Sequence, residues 1–217
     1  MKISFQHRHA GLTLIEVIAI IATLVLMAIF LLFVLPLAKV SGSANRITCV
    51  NNLKQIHLSF RLYAGDDNRN RYPMNTSTNA EPIVNEATPV FEYLKLISEP
   101  LSNPRVVICP SDTNRILSTD FTNFNNSNIS YFIGLDSDDN RTNSMMTGDR
   151  NITNGFSPKG WILGLTTKQK VSFTEEIHIK QGNVALGDGS VRQVTSKQLR
   201  SEILPNTGFV TNRILLP

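Results

Sequence analysis

"LTLIEVIAIIATLVLMAIFLLFVL", residues 12–35, decides the fold of this chain. Its only ionisable side chain is that of Glu16. As an α-helix the run would be about 36 Å long, which exceeds the roughly 30 Å hydrocarbon core of a bilayer. The sequence therefore predicts one membrane-spanning helix near the N-terminus. A carboxylate inside such a helix costs about 2–3 kcal/mol on insertion scales, so Glu16 requires an explanation.

The rest of the chain is polar and predicts one soluble domain. The 217 residues carry a net charge of +4, and Lys and Arg are scattered without a basic block. A nucleic-acid surface would need clustered basic residues, so the composition argues against a nucleic-acid partner. The residues beyond about 65 number roughly 150, which is enough to bury a hydrophobic core.

Charge and cysteine usage indicate how the chain is placed. Lys2 and Arg8 precede the apolar run, and the positive-inside rule keeps such a short end in the cytoplasm. The large C-terminal part then lies outside, where a disulfide between Cys49 and Cys109 is permitted. Two free thiols are the alternative.

The small residues Ala10 and Gly11 precede the apolar run, whereas a secretory signal peptide places such residues after it. Cleavage after Gly11 would remove the charged leader, keep the apolar run and create a new amine at Leu12. The stretch from Gly11 to Glu16 resembles the processing site of type IV prepilins and type II secretion pseudopilins. This resemblance implies cleavage after Gly11 by prepilin peptidase and N-methylation of Leu12.

The resemblance also implies a role for Glu16 in assembly. In the family the matching glutamate meets the N-terminal amine of a neighbouring subunit. An α-amine is mostly cationic at neutral pH, and amine and carboxylate would offset each other's desolvation in an apolar filament core. Two other interpretations are pairing with the amine of its own Leu12 and an incidental glutamate near a helix end.

By this resemblance the chain is a structural pilin or pseudopilin subunit, not an enzyme, and has no cofactor. Its expected partners are identical or homologous pilin subunits, prepilin peptidase, the inner-membrane assembly platform and, before assembly, membrane lipid. The expected location is the inner membrane, with a cytoplasmic N-terminus, a periplasmic head and an assembled form in a periplasmic or cell-surface filament. Two alternatives are a membrane-tethered module that binds polysaccharide or calcium and a membrane-anchored hydrolase.

The expected fold class is α+β and pilin-like, with a long N-terminal helix packed on a small antiparallel sheet. The four predicted regions are a leader (1–11), a membrane or filament-core helix (12–35), its amphipathic continuation (36–64) and a globular head (65–217). Helical spacing marks the apolar face of the continuation, and Pro36 predicts a kink or local unwinding near Leu32. The predicted face comprises Ile47, Val50, Leu53, Ile56, Phe60 and Tyr63.

Short local signals predict the elements of the head. "TPVFEYLKLI" (88–97) predicts a helix with Thr88 as its cap and Pro89 in its first turn. "RVVICPSD" (105–112) predicts a buried strand. Further strands are expected in "ISYFIGL" (129–135), "SMMTGDR" (144–150) and "WILGL" (161–165), and an Asp-Gly hairpin in 178–194. Thr195 to Gln198 is a capping-box pattern that opens a short helix.

His178 stands ten residues before Asp188, which is followed by Gly189. This spacing resembles the H-X9-DG signature of prepilin-like proteins of planctomycete and verrucomicrobial type, whose role the resemblance does not establish. "ITCVNNLKQI", "YAGDDN", "VICPSD" and "GDRNITN" resemble further blocks of that group. His178 and Asp188 form either an acid–base or ligand pair, or a structural turn in which His178 bonds to the backbone.

Two acidic stretches are weaker candidates. Asp136, Asp138 and Asp139 offer closely spaced oxygen ligands of the kind that Ca²⁺ prefers, although the Gly and Glu of an EF-hand loop are missing. A solvated turn is the alternative. Asp149 and Arg150 are placed to pair with each other at a strand end, and a ligand site there is the alternative.

Overall fold

The computed structural model describes residues 13–66, 71–75, 77–78, 81–82, 88–138 and 140–217. The predicted leader, residues 1–11, and Leu12 lie outside these residues. The chain divides into two compact units, with the boundary between Ser43 and Ala44. The fold is α+β, with an apolar N-terminal helix and an antiparallel sheet.

Helix α1 extends over Leu14–Asp66. In the first unit, Leu14–Leu32 has a mean hydropathy of 2.9 and is long and apolar enough to cross a membrane. None of these 19 residues is buried in the chain. The helix continues through Pro36 without interruption, so the unwinding predicted near Leu32 is not seen.

The second unit, Ala44–Pro217, is called the head from here on, and it begins with the last part of α1, whose inner face is apolar. Leu53, Ile56 and Phe60 are fully buried there, at the three- and four-residue spacing of a helical face. Cys49 and Ala64 complete the buried stripe, whereas Ile47, which the sequence placed on it, is 60% exposed. The predicted face is therefore correct at its centre and displaced at its start.

The head sheet has seven antiparallel strands in the order β10-β9-β4-β3-β11-β7-β6. Two further pairs, β1–β2 and β5–β8, are separate. The strands are β1 (Ser77–Thr78), β2 (Glu81–Pro82), β3 (Tyr131–Gly134), β4 (Met145–Asp149), β5 (Ile152–Thr153), β6 (Phe156–Lys159), β7 (Ile162–Leu165), β8 (Ser172–Phe173), β9 (Gln181–Leu186), β10 (Val191–Thr195) and β11 (Asn212–Leu215).

Both faces of this sheet are covered. Tyr131 and Ile133 of β3 share a core with the inner face of α1, whereas Phe132 between them points into a second core. The second core contains Leu199 and Ile203 from the helical segment after β10. Side chains alternate across a strand, and this explains why every residue of β3 is buried.

The small helices of the head show where local prediction succeeded and failed. Helix α2 (Val90–Leu96) follows Pro89 as its N-cap, one residue later than the Thr88 cap that the sequence predicted. The short helix α3 (Ser98–Leu101) follows. The strand predicted in "RVVICPSD" is wrong, because Pro104–Val107 forms a 3₁₀ helix.

Asn103 and Pro104 account for that helix. The side chain of Asn103 accepts a hydrogen bond from the backbone N–H of Arg105 at 3.0 Å, and Pro104 occupies the first turn. By contrast, α4 (Ser196–Gln198) has the predicted capping box. Thr195 and Gln198 exchange side-chain and backbone hydrogen bonds at its start.

Candidate functional site

A disulfide links α1 to the turn after the 3₁₀ helix. Cys49 and Cys109 are both fully buried, and their Cα atoms lie 5.1 Å apart. The bridge therefore ties the helix to a segment 60 residues further along the chain. Neither cysteine is free.

The ring of His178 lies against this disulfide. Its Nε2 atom is 3.5 Å from Sγ of Cys109 and 3.5 Å from Oδ2 of Asp149. Asp149 ends β4, and His178 immediately precedes the loop into β9, which pairs with β4. Strand pairing thus brings the imidazole, the carboxylate and the disulfide into one buried cluster.

Asp149 is fully buried, as are the two cysteines of the cluster. Its Oδ2 atom accepts hydrogen bonds from the backbone N–H of Asn183 at 2.7 Å and from Nδ2 of the same residue at 2.9 Å. Its Oδ1 atom is buried and has no hydrogen-bond partner. Burial raises the pKa of Asp149 to about 7, against the hydrogen bonds from Asn183, which favour the charged form.

Electrostatics keep His178 neutral. Burial, together with the positive charge of Arg46, lowers the pKa of His178 to about 4. Arg46 lies on α1 and donates from Nη2 to the backbone carbonyl of His178 at 3.2 Å. Its Nη1 donates to Oε1 of Gln181 at 2.6 Å. Arg46 therefore places a positive charge beside the cluster and makes no hydrogen bond to the imidazole ring of His178.

The backbone after His178 is strained. Ile179 and Lys180 both have positive φ, 52° and 60°, which is rare for residues other than glycine and especially for a β-branched one. The side chain of Ile179 is 76% exposed, whereas His178 is only 4% exposed. Strain of this kind persists where the surrounding structure demands it, and here it accompanies an inward-facing histidine.

His178 and Asp188 do not form a pair. They lie at opposite ends of β9, and a six-residue strand spans about 20 Å. Oδ1 of Asp188 accepts from the backbone N–H of Ser190 at 2.8 Å, and Gly189 adopts φ 84°, so these two residues close the hairpin turn. The turn-forming interpretation fits Asp188. His178, however, faces the disulfide and Asp149 instead of bonding to the backbone through its ring.

The pairing expected between Asp149 and Arg150 is wrong. Arg150 instead binds Asp112 in a bidentate fashion, with Nε–Oδ2 and Nη2–Oδ1 distances of 2.8 and 2.9 Å. Its third polar contact is with Glu176 at 2.9 Å. Burial alone would raise the pKa of Asp112, but hydrogen bonding to Arg150 and the charge of that residue lower it.

Two of the carboxylates considered as calcium ligands, those of Asp136 and Asp138, bind other groups of the chain. Both carboxylate oxygens of Asp136 bind Arg213, the shortest contact being 2.6 Å between Oδ1 and Nη2. Oδ1 of Asp138 accepts from the backbone N–H of Asn140 at 3.0 Å, as in a simple turn. Asp139 lies outside the described residues. Within the described part of the chain, the one group of three potential metal-ligating side chains is Cys49, Cys109 and His178.

Glu16 caps the start of α1. Its Oε2 atom accepts from the backbone N–H and from the hydroxyl of Thr13, both at 2.8 Å. Thr13 and Glu16 occupy the N-cap and N3 positions, so this is the glutamate half of a capping box. The sequence pattern Thr-x-x-Glu carries this signal, but its capping role was not among our predictions.

The Asp149–His178 contact, Arg46 and Asn183 were also missed. The sequence signal for this cluster was the set of blocks that resemble prepilin-like proteins. Cys49, Cys109 and Asp149 each lie in one of these blocks. In comparisons with protein-family models, curated proteins and solved structures, this chain has no significant match.

Proposed function

We propose that this chain is a pilin-like structural subunit of a type IV pilus or a type II secretion pseudopilus. The observation that carries the proposal is the Leu14–Leu32 segment of α1. It is strongly apolar, and none of its residues is buried in the chain. An apolar surface of this extent requires either lipid or other protein to cover it. A subunit that begins in the membrane and ends in a filament meets both requirements in turn.

Glu16 gives the proposal its specific chemistry. A membrane anchor alone gains nothing from a carboxylate in its apolar segment. Capping by Thr13 supplies donors to one carboxylate oxygen but no opposite charge. In the proposed filament, the amine of a neighbouring subunit supplies that charge, and the two groups share one desolvated environment.

The remaining parts follow from this function. Residues 1–11 are the leader, removed after Gly11 by prepilin peptidase, and Leu12 becomes the methylated N-terminus. The subunit waits in the inner membrane with its head in the periplasm. The assembly platform then transfers it to a filament of identical or homologous subunits.

Substitution of Glu16 tests the assembly role. Glu16→Ala removes both the cap and the charge, whereas Glu16→Gln keeps an oxygen that can cap but removes the charge. Both variants should insert and be processed normally. Both should fail to enter filaments efficiently, because an unpaired partner in an apolar setting costs about 3–5 kcal/mol at each addition. Filament yield is compared at matched membrane levels of subunit.

Thr13→Ala is the matched control, because it removes the hydroxyl that donates to Glu16 and leaves the charge in place. This variant should assemble nearly normally. If Glu16→Gln assembles like wild type while Glu16→Ala does not, capping is the function of this residue and charge pairing is excluded. If both assemble normally, the proposed role of Glu16 is wrong.

Processing is tested separately by intact-mass analysis of protein extracted from membranes. The mature chain should begin at Leu12 and carry one methyl group. A chain that still begins at Met1, in cells with an active prepilin peptidase, would contradict the proposal.

A further inference from the structure

The cluster around the disulfide contains the ligand types of a structural zinc site. We propose that reduction of the Cys49–Cys109 bridge creates a Zn²⁺ site from both thiolates and Nε2 of His178, with the carboxylate of Asp149 beside the imidazole. The proposal does not depend on filament assembly. It assigns the histidine of the H-X9-DG motif a binding role, while Asp188 and Gly189 shape a turn.

The spacing of the polar atoms supports this assignment. Zinc binds sulfur at about 2.3 Å, imidazole nitrogen at about 2.0–2.1 Å and carboxylate oxygen at about 2.0–2.2 Å. Around a tetrahedral ion these lengths place nitrogen roughly 3.5 Å from sulfur. In the structure, Nε2 of His178 is 3.5 Å from Sγ of Cys109 and 3.5 Å from Oδ2 of Asp149.

The third ligand atom is also close. Both sulfur atoms and a ring nitrogen of His178 lie within 4.8 Å of one another. Once the covalent bond is broken, the two sulfurs are free to separate to the roughly 3.8 Å that two thiolates adopt on one zinc ion. All three residues are buried, so the core of the head would enclose the ion.

Two features of the surroundings point to a ligand as well. Oδ1 of Asp149, the residue beside the imidazole, is buried without a hydrogen-bond partner. Two thiolates would balance the charge of Zn²⁺, while Asp149 and Arg46 border the cluster. Asn183 donates two hydrogen bonds to Asp149 and fixes its orientation, as outer-shell partners do in zinc sites.

The chemistry balances with one named reductant. A dithiol passes two electrons and two protons to the disulfide and itself becomes a disulfide, so Cys49 and Cys109 become thiols. Zn²⁺ then displaces one proton from each thiol and binds the two thiolates. Oxidation reverses this exchange, because formation of the bridge removes both sulfur ligands and releases the ion. In an oxidising compartment the bridge predominates.

The experiment uses the full chain in detergent, reduced with a water-soluble phosphine and desalted without oxygen. Zn²⁺ is titrated against a chromophoric chelator, and Co²⁺ is used as the spectroscopic probe. Reduced wild type should bind one Zn²⁺ per chain, and its Co²⁺ form should show thiolate-to-metal charge transfer and the intense visible bands of tetrahedral cobalt. The oxidised protein should bind neither ion tightly.

His178→Gln tests the imidazole, and His57→Gln is the matched control. Both histidines are 4% exposed and lie in the head, but His57 faces the carbonyl of Gly187 at 3.2 Å, away from the disulfide. The affinity of the reduced protein for Zn²⁺ should fall at least tenfold in His178→Gln and remain unchanged in His57→Gln. Asp149→Asn should retain the thiolate charge-transfer band, because Asp149 lies beside the site and is not one of its ligands.

Reduction or substitution could itself destabilise the head, so the effect of Zn²⁺ on the urea midpoint is measured as a second test. Zn²⁺ should raise the urea midpoint of reduced wild type and of reduced His57→Gln, but not that of oxidised wild type or reduced His178→Gln. The proposal is overturned if reduced wild type binds Zn²⁺ no more tightly than the oxidised protein. It is equally overturned if reduced His178→Gln binds as tightly as reduced wild type.

Discussion

Two parts of one helix differ completely in what surrounds them. Leu14–Leu32 presents every side chain to its surroundings, and Leu24 is 60% exposed. In the head, Leu53 of the same helix is fully buried among aromatic and aliphatic side chains. Both parts are helical and leucine-containing, so helix propensity does not distinguish them.

This difference in burial shows that the head is stabilised by contacts within the chain, whereas the apolar segment is not. The stability of the head comes from its own burial, its disulfide and its buried polar pairs. The apolar segment has no such internal partners among the described residues, so lipid or other protein must cover it. Substitutions in the two parts should therefore respond to different measurements, and the following predictions test that separation.

Removing the disulfide should have the largest effect on the head. A bridge with a sequence separation of 60 residues is worth about 4 kcal/mol in the chain-entropy model. The double substitution Cys49→Ala and Cys109→Ala should lower the free energy of unfolding by about that amount in the presence of a chelator. Urea unfolding followed by near-ultraviolet circular dichroism measures it, because buried tyrosines of the head dominate that signal. Membrane extraction should be unchanged, and a shift there would contradict the separation.

A matched pair of leucines tests the comparison directly. Leu53→Ala should destabilise the head by about 3 kcal/mol, within the range for buried leucines, because it leaves a cavity in the core. Leu24→Ala removes the same atoms from an exposed position and should change head stability by less than about 0.5 kcal/mol. Equal losses in the same urea experiment would mean that the apolar segment contributes to the head after all.

The ionisable groups of the buried cluster, Asp149 and His178, should make the free energy of unfolding depend on pH. Because the pKa of Asp149 in the folded head is about 7, the folded state holds a proton that the unfolded chain loses, and stability falls as pH rises from about 4 to 7. The pKa of His178 is lowered to about 4, so the unfolded chain holds the extra proton and stability rises between about 4 and 6.5. These opposite contributions nearly cancel in wild type.

Single substitutions should separate the two contributions. Between pH 4 and 6.5, Asp149→Asn should gain stability with rising pH by about 1.4 kcal/mol per unit, which is the slope for one proton. His178→Gln should lose stability over the same range at a similar slope. Urea midpoints measured across this range give both slopes. Parallel pH profiles for the two variants and wild type would show that the pair does not titrate as described.

Local signals in the sequence predicted five of the seven strands of the head sheet, and β6 and β11 were not predicted. The hairpin from β9 to β10 follows from an Asp-Gly step between two apolar runs, and the capping box at Thr195 follows from a four-residue pattern. Strands β3, β4 and β7 lie within segments with a strand-like pattern. Each of these signals is complete within a few residues, so no knowledge of the tertiary structure was required.

The site was less accessible to sequence reasoning, because its members are far apart in the chain. His178 reaches Cys109 across 69 residues, and only the pairing of β4 with β9 places Asp149 beside it. The expected Asp149–Arg150 pair failed for a simpler reason. Consecutive residues at a strand end point to opposite sides, so one carboxylate lies in the interior while its neighbour binds Asp112.

The smallest predicted effect compares the two capping arrangements. Thr13 at the start of α1 and Thr195 at the start of α4 are both N-caps whose N3 residue accepts a hydrogen bond from the cap backbone N–H. Thr195→Ala should lower head stability by about 1 kcal/mol, because the backbone N–H of Gln198 loses its partner. Thr13→Ala removes an equivalent hydroxyl from the apolar segment and should leave the urea midpoint of the head unchanged. Thr195→Ser, which retains the hydroxyl, should restore most of the lost stability. If Thr13→Ala lowered the midpoint as much as Thr195→Ala, the start of α1 would be coupled to the folding of the head, and the two parts of the helix would not be independent.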